Sequence, residues 1–298
     1  MERIKRLNPV IIIFIIMSFS SLPLKAERTE EFEKQLQWYI DNYKFVSLVD
    51  TFFTFESEFQ FPEGYERLDK SELSDYSFWI SYLPIWHKYK PVGSWDGRIR
   101  YEKDSISRVV HIPWIGTAYK EYAFPVRILG EYFVAKEKEN DFCFYPPKGE
   151  VIDYRKWLTG QPAFTAHLEL FIKPDEEREP SIREFYKLVN FCLQYSDYAT
   201  LKKNCDTISA SDLQPGDLLI STTENQIKGK VYLIINMISN KSGDKLYAIA
   251  TGCEDACDFH IPLVNDNRDY PWLTLDDLQK LGNINPEQNF YRFKVFNK

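Results

Sequence analysis

The chain is poor in the residues that several common binding and catalytic sites require. Of its 298 residues only 12 are glycine and four are histidine, and the glycines do not cluster. Phosphate-binding loops need closely spaced glycines so that backbone N–H groups can approach the phosphates. The sequence therefore excludes the common nucleotide-binding loops, and we expect no cofactor.

An excess of positive charge is also lacking, because the formal net charge is −7. Binding to nucleic acid rests on clustered Lys and Arg side chains that displace counterions from phosphate. We therefore expect no nucleic-acid partner. Low-complexity segments, internal repeats and Pro- or Ser-rich linkers are missing as well, which favours one domain over residues 27–298 with its core at about residues 55–295.

The first 26 residues differ in character from the rest. MERIKRLNP is basic, residues 10–24 are apolar, and Ala26 precedes the polar Glu27. This order is typical of a secretory signal peptide. The apolar run is shorter than the roughly 20 residues of a membrane-spanning helix, so a retained anchor is the weaker alternative. We expect cleavage after Ala26 and an exported chain, periplasmic or extracellular, without a stable membrane span.

Five cysteines, an odd number, leave at least one thiol unpaired if the exported chain is oxidised. Cys253 and Cys257 are the expected disulfide because they are closest in sequence. The same GCEDACDFH stretch also offers Cys253, Cys257 and His260 as metal ligands. Structural zinc sites use four ligands with paired Cys-x-x-Cys spacing, so we expect no metal site here.

Helical spacing of apolar residues dominates the first two thirds of the chain. Helices are predicted over residues 30–43, 74–84 and 117–137, and over 182–195 with Ser181 as N-cap. Pro125 fits the third helix only if it lies in the first turn. Strands are predicted at VGSWDGRIRY, broken by Asp96-Gly97, and at Ser107 to Ile115 and FCFYP, with a short helix or turn at DYRKWLTG.

The last third has strand character. DLLIST, KVYLIINMI and KLYAIATG are three β runs, and SGDK between the second and third predicts a hairpin turn. HIPLV and FYRFKVF add predicted strands, and TLDDLQKL a helix. Helices followed by a strand meander predict an α+β fold with helices packed on one mainly antiparallel sheet.

Short elements in a fixed order resemble a known family. They are FQFPEGY at 59–65, WISYLP at 79–84, Asp96-Gly97, Glu131-Tyr132, DYRKW at 153–157, Gly216-Asp217 and Pro271-Trp272. Their order and spacing over roughly residues 55–295 resemble the secreted bacterial domain of unknown function family 4846. Members of that family carry a Q-C-A-D-A run at the start of the long helix, a P-G-H on the strand after the G-D strand, and an A-Q-S run on the next strand.

The resemblance implies a hydrolase-like layout whose catalytic residues are replaced in this chain. A Cys at a helix N-terminus facing a His on a strand is the arrangement of papain-like and NlpC-type hydrolases, so by analogy the family has that layout. This chain has Tyr122 at the Cys position, Phe124 at the Asp, Lys230 at the His and Thr251 at the Gln. A Tyr with a pKa near 10 beside a protonated Lys lacks a general base.

We therefore expect a non-catalytic, exported module whose groove binds peptides or cell-wall (peptidoglycan) fragments. The groove would be lined by Tyr122, Phe124, Lys230, Tyr232 and Thr251, with tyrosines as stacking surfaces and Lys230 as an anion anchor. Two alternatives stay open. One is an active hydrolase with a displaced site around Cys205, His260 and Asp258, since Cys205 follows two lysines. The other is a structural envelope protein without a ligand.

Overall fold

The computed structural model describes residues 34, 37–39, 41–43, 52–53, 55–113, 120–223, 228–264, 266–281 and 290–296. The predicted signal peptide and the predicted start at Glu27 lie outside these residues. Within the described ranges, no helix combines the length and apolar character that crossing a membrane would take.

The described chain contains both helices and strands, and consecutive strands dominate its last third. The helices are α1 (Phe55–Glu58), α2 (Asp75–Ile80), α3 (Phe124–Ala135), α4 (Tyr154–Leu158), α5 (Ile182–Gln194), α6 (Tyr198–Lys203) and α7 (Leu275–Leu281). The strands are β1 (Phe52–Phe53), β2 (Tyr65–Arg67), β3 (Ile85–Trp86), β4 (Val92–Gly93), β5 (Ile99–Tyr101), β6 (Ile106–Val109), β7 (Cys143–Phe144), β8 (Ile152–Asp153), β9 (Gly160–Phe164), β10 (Leu170–Pro174), β11 (Cys205–Thr207), β12 (Leu218–Thr222), β13 (Gly229–Asn240), β14 (Lys245–Ala250), β15 (His260–Pro262) and β16 (Phe290–Phe293).

The largest sheet has six strands, all paired antiparallel, in the order β11-β16-β12-β13-β14 with β2 on β13. The 12-residue β13 is its centre. Ile238 pairs with Leu246 of β14 on one side and with Arg67 of β2 on the other. β2 therefore lies on the same side of β13 as β12, which pairs with the first half of that strand. This arrangement confirms the predicted α+β class and the antiparallel meander, with five two-stranded sheets in addition among the described residues.

Both faces of this sheet are buried. Leu218, Val231 and Leu233 point into the cluster that contains the residues of α3 and α5. Leu219 and Ile234 point to the opposite face, into a second cluster that contains Leu278 of α7. A β-bulge between Ile234 and Asn236 shifts the alternation, so that the residues on each face change by one position beyond it.

Single backbone bridges connect the main sheet to the smaller ones. Thr251, which follows β14, pairs with His260 of β15, and β15 pairs with β6. The hairpin of β4 and β5 is joined to the loop between β14 and β15 by a bridge between Ser94 and Cys257. In that loop Cys253 and Cys257 form a disulfide, as predicted from their spacing. The loop also contacts the chain just before α3, because the Cys253 carbonyl accepts a hydrogen bond from the Glu121 N–H.

The long helix α3 is almost entirely buried, which few helices of this length are. Pro125 stands in its first turn, as the sequence required, but the helix begins at Phe124, several residues later than predicted. Gly130 lets α3 approach α5 closely, because a Cβ there would lie 2.9 Å from Cγ2 of Val189. Ser181 caps α5, and its hydroxyl accepts a hydrogen bond from the Glu184 N–H.

Some predicted bounds were wrong. The helix predicted over 74–84 ends at Ile80, and the strand predicted from Ser107 to Ile115 is limited to Ile106–Val109. Residues 34, 37–39 and 41–42 are helical, which agrees with the predicted first helix where it is described. The hairpin of β9 and β10 and the short α6 were not predicted.

Candidate functional site

A half-exposed lysine and a buried glutamate meet near the start of β13. Lys230 is the second residue of β13, and its Nζ donates a hydrogen bond to Oε2 of Glu121 over 2.9 Å. The side chain of Lys230 is 48% exposed and that of Glu121 is 1% exposed. An ammonium has three N–H donors, so this lysine can bind both Glu121 and a ligand acceptor.

Glu121 is fixed in this position by further hydrogen bonds. The Tyr198 hydroxyl lies 2.5 Å from Oε1 of Glu121 and 2.9 Å from the Gly229 carbonyl oxygen, so both oxygens are within reach of its one proton. The backbone N–H of Glu121 donates to the Cys253 carbonyl over 3.1 Å. Glu121 therefore joins three elements: the chain before α3, helix α6, and the loop that carries the disulfide.

The electrostatics of the pair keep Lys230 protonated. Burial alone would lower the pKa of Lys230, but the hydrogen bond and charge of Glu121 act in the opposite direction, and the resulting pKa lies above the ordinary value. Burial raises the pKa of Tyr122, and the carboxylate of Asp197 raises it further. At neutral pH Lys230 is therefore a cation and Tyr122 a neutral phenol, and neither can act as a general base.

Tyrosines lie near the pair of Lys230 and Glu121. Tyr232 follows two positions along β13; burial raises the pKa of its hydroxyl, and the Lys230 charge offsets part of this effect. Tyr122 packs edge-to-face against Tyr198 with ring centroids 5.1 Å apart. Tyr122 and Tyr232 are both partly exposed, so they can present ring surface to a ligand.

The structure corrects three details of the predicted groove. Glu121, and not Tyr122, meets the Lys230 ammonium. Phe124 is 1% exposed and stacks on Phe259, so it belongs to the core. Thr251 is also buried, and its hydroxyl donates to the Val231 carbonyl over 2.7 Å. The exposed part of the predicted set is therefore Lys230, Tyr122 and Tyr232.

His260 lies behind this surface and is buried. Its Nδ1 is 2.9 Å from the Asp258 carbonyl oxygen and 3.9 Å from Sγ of Cys257. Burial lowers the pKa of His260 to about 4, and the Lys230 charge adds to this effect. The ligand atoms of Cys253, Cys257 and His260 lie within 4.8 Å of one another, but both sulfurs are in the disulfide and are not the thiolates that bind metal.

The alternative hydrolase site is not assembled. Cys205 begins β11, at one end of the strand order, whereas His260 is in β15, which is bridged to β14 at the other end. Five strand-to-strand steps separate them, on the order of 24 Å along the sheet at about 4.8 Å per step. Burial raises the pKa of the Cys205 thiol well above its usual range, and the carboxylate of Asp258 accepts the Gly93 N–H.

The comparison with protein families decides the classification. A model described as "Domain of unknown function (4846)" matches residues 55–296, most of the chain. The chain belongs to this family. The comparisons with curated proteins and with solved structures give no match.

The elements shared with family 4846 have structural roles. Asp153 caps α4 by accepting the Lys156 N–H, and the buried Trp272 donates from its indole nitrogen to the Gln60 carbonyl. Asp217 binds Arg292 through both carboxylate oxygens, each at 2.7 Å. Gly216 has φ +97° and leaves no room for a Cβ beside the Tyr76 ring. The resemblance was therefore carried by residues that stabilise the fold, and it leaves the function open.

Neither Glu121 nor Tyr198 was predicted from the sequence. Glu121 is 109 residues from Lys230 in the chain, so no local spacing connects the two. Tyr198 lies in α6, a helix of six residues whose apolar pattern is too short to detect. One signal was available. Glu121 stands three residues before an aromatic and apolar helix, and a carboxylate that is buried with such a helix needs a partner.

Proposed function

We propose that the chain is a non-catalytic binding module that holds peptides or cell-wall fragments through a carboxylate on Lys230. The observation that carries this proposal is the Lys230–Glu121 pair, in which a buried carboxylate holds a half-exposed ammonium in a fixed position. A preorganised donor loses less conformational freedom on binding than a mobile surface lysine. Tyr232 on the same strand, and Tyr122 packed on the Tyr198 ring that binds Glu121, supply ring surface near the pair for recognition of sugars or peptide side chains.

The protonation states and hydrogen bonds around Lys230 support binding over hydrolysis, since both oxygens of the Glu121 carboxylate are already bound, one by Lys230 and one by Tyr198. Lys230 is protonated, Tyr122 is neutral, and the neutral His260 has its Nδ1 against the Asp258 carbonyl and is buried. A phenol with a pKa near 10 would lose a proton at pH 7 at a cost of roughly 4 kcal/mol before any raised pKa is counted. These properties favour a ligand that leaves unchanged.

An inherited papain-like layout is part of the proposal. In that layout a nucleophile before the long helix faces a base at the start of the second strand of the meander. The contact from Glu121 to Lys230 joins the same two elements, which supports a hydrolase arrangement whose chemistry was replaced by an ion pair. Export through the predicted signal peptide would place such a module where cell-wall fragments are met.

The test uses a muropeptide with free carboxylates and the same muropeptide amidated. Calorimetric titration of the mature chain should give binding of the free acid, at least ten-fold weaker binding of the amide, and a similar loss for Lys230→Met. Lys228→Met is the matched control, because Lys228 is exposed two positions earlier and loses the same charge without touching Glu121. Equal binding by the Lys230→Met and Lys228→Met variants would refute the site.

A further inference from the structure

A second polar site lies on α3, away from Lys230, and residues outside the family match fill it. The match begins at residue 55, whereas Tyr39 and Tyr43 precede it. The two tyrosines are one helical turn apart, with the Tyr43 N–H donating to the Tyr39 carbonyl over 2.9 Å. Their side chains therefore share one face, and both are buried against the body of the protein.

Arg127 and Glu131 form an ion pair on α3 that is fully buried at both ends. Burying two charges costs several kcal/mol per ion unless further hydrogen bonds satisfy the remaining donors and acceptors. Within the family-matched part, Tyr186 of α5 donates to Oε2 of Glu131 over 2.9 Å, and the Pro113 carbonyl accepts from Nη2 of Arg127 over 3.2 Å. The other oxygen of Glu131 faces the N-terminal segment.

Tyr43 completes this network from outside the matched domain. Its hydroxyl donates to Oε1 of Glu131 over 2.5 Å and accepts from Nη2 of Arg127 over 2.7 Å. Tyr39 reaches a second polar group of the body, because its hydroxyl is hydrogen-bonded to Nδ1 of His111. The Tyr43 hydroxyl thus both donates and accepts, and the Tyr39 hydroxyl has the His111 imidazole as its partner.

One side of the segment is open to solvent. Among its described residues, Lys34, Gln37 and Asp41 are exposed, and a crevice of about 390 Å³ lies beside it. Next to the tyrosines, Trp38 also contacts the body, with its ring centroid 5.3 Å from that of Trp79. The described residues therefore hold the segment along one face, as a helical peptide is held in a groove.

We propose that Arg127, Glu131, Tyr186 and His111 form a tyrosine-recognition site, which Tyr39 and Tyr43 occupy in cis and a helical peptide with tyrosines four residues apart can occupy in trans. A phenol hydroxyl fits because it donates to the carboxylate while it accepts from the guanidinium. A phenylalanine would fill the same volume but leave one oxygen of Glu131 and one Arg127 donor without that partner. This site is independent of Lys230.

The experiment begins with the mature chain folded and intact, carrying a protease site inserted between residues 44 and 50. After cleavage, a fluorescent peptide with the sequence of residues 34–43 is added, and exchange is followed by anisotropy. The nicked protein should stay folded by circular dichroism and bind the peptide. Peptides with Tyr39→Phe or Tyr43→Phe should bind at least ten-fold more weakly, and a Gln37→Ala peptide should bind like the parent, because Gln37 is exposed.

Three results would overturn the proposal. Unfolding of the nicked chain when the segment leaves would make residues 34–43 an integral part of the core. Retention of the original segment against a large excess of labelled peptide would exclude an exchangeable ligand. Equal binding of the parent and the Tyr43→Phe peptide would show that the hydroxyl is not recognised. The intact Tyr43→Phe chain adds a second readout, since its segment should become more sensitive to proteolysis than that of the Gln37→Ala chain.

Discussion

At the scale of single residues, Lys230 and Glu121 depend on each other. Lys230 keeps its proton because Glu121 more than offsets the effect of burial on its pKa, and Glu121 stays buried because Lys230 and Tyr198 both bind its carboxylate. Removing one partner of such a pair leaves the other charge or donor without compensation. The pair therefore acts as one unit, and substitutions in it should be read together.

The Tyr43 hydroxyl is expected to contribute to stability through the buried ion pair. Tyr43→Phe removes a donor to Glu131 and an acceptor for Arg127 without creating a cavity. A hydrogen bond to a charged group is worth about 1.5–3 kcal/mol, so the free energy of unfolding should fall by an amount in that range. Urea denaturation measures it. A change below about 0.5 kcal/mol would contradict the role assigned to this hydroxyl.

Two buried histidines predict a loss of stability in weak acid. Burial lowers the pKa of His111 to about 3 and that of His260 to about 4, while unfolded histidine titrates near 6.5. Between these values the unfolded chain binds more protons, so stability is full above pH 6.5 and falls as the pH drops toward 4. At about 1.36 kcal/mol per pH unit, the full contribution is on the order of 5 kcal/mol for His111 and 3 kcal/mol for His260.

Unfolding free energies measured from pH 4 to 7.5 check this prediction. The slope should be reduced in a His260→Asn chain and in a His111→Asn chain, because neither substitute titrates. The exposed His167 provides the control, since His167→Asn should leave the slope unchanged. A parent chain whose stability is flat between pH 4 and 6.5 would show that neither histidine is held neutral in the folded state.

At the scale of elements, close contact between α3 and α5 depends on one glycine. Gly130→Ala gains helix propensity, yet its Cβ would lie 2.9 and 3.0 Å from the two methyl groups of Val189. Overpacking of this kind costs about 1–3 kcal/mol, so we expect net destabilisation. Val189→Ala should relieve it, and the double variant should be more stable than the sum of the single changes predicts. Additive effects in thermal denaturation would place the helices further apart.

The disulfide loop is a second element whose contribution to stability can be stated. Cys253 and Cys257 are four residues apart, and closing so short a loop restricts the unfolded chain by about 2 kcal/mol in the chain-entropy model. Replacing both by Ser should lower the melting temperature to that of the reduced parent. Reduction should not lower it further in the double variant. An unchanged melting temperature would show that the backbone links of the loop suffice.

Elements with strong local signals were predictable from sequence. Ser181 before an apolar helix, Pro125 in a first turn and three β runs joined by a hairpin turn each follow from residue chemistry over a few positions. The hairpin of β9 and β10 has no such signal, because Pro162 interrupts it and most of its residues are not buried. Helix bounds near Phe124 are set by tertiary contacts, which local patterns do not contain.

At the scale of the whole molecule, contacts between residues far apart in the sequence explain why the candidate site was only partly predictable. Lys230 and Tyr232 were found because they follow a strand start that resembles the family pattern. Glu121 and the tyrosines Tyr39 and Tyr43 act across long sequence separations, and the contacts exist only after the sheet and α3 have packed. A sheet buried on both faces leaves its edges and ends as the places where charged side chains can reach solvent.

The most direct measurement follows both the binding and the fate of one ligand. The mature chain is incubated with a muropeptide that has free carboxylates, the complex is titrated by calorimetry, and the ligand is recovered for mass spectrometry. The account predicts saturable binding that is lost in Lys230→Met and kept in Lys228→Met, with the ligand recovered at its original mass. Cleavage of the ligand by the parent chain, or binding that does not depend on Lys230, would contradict it.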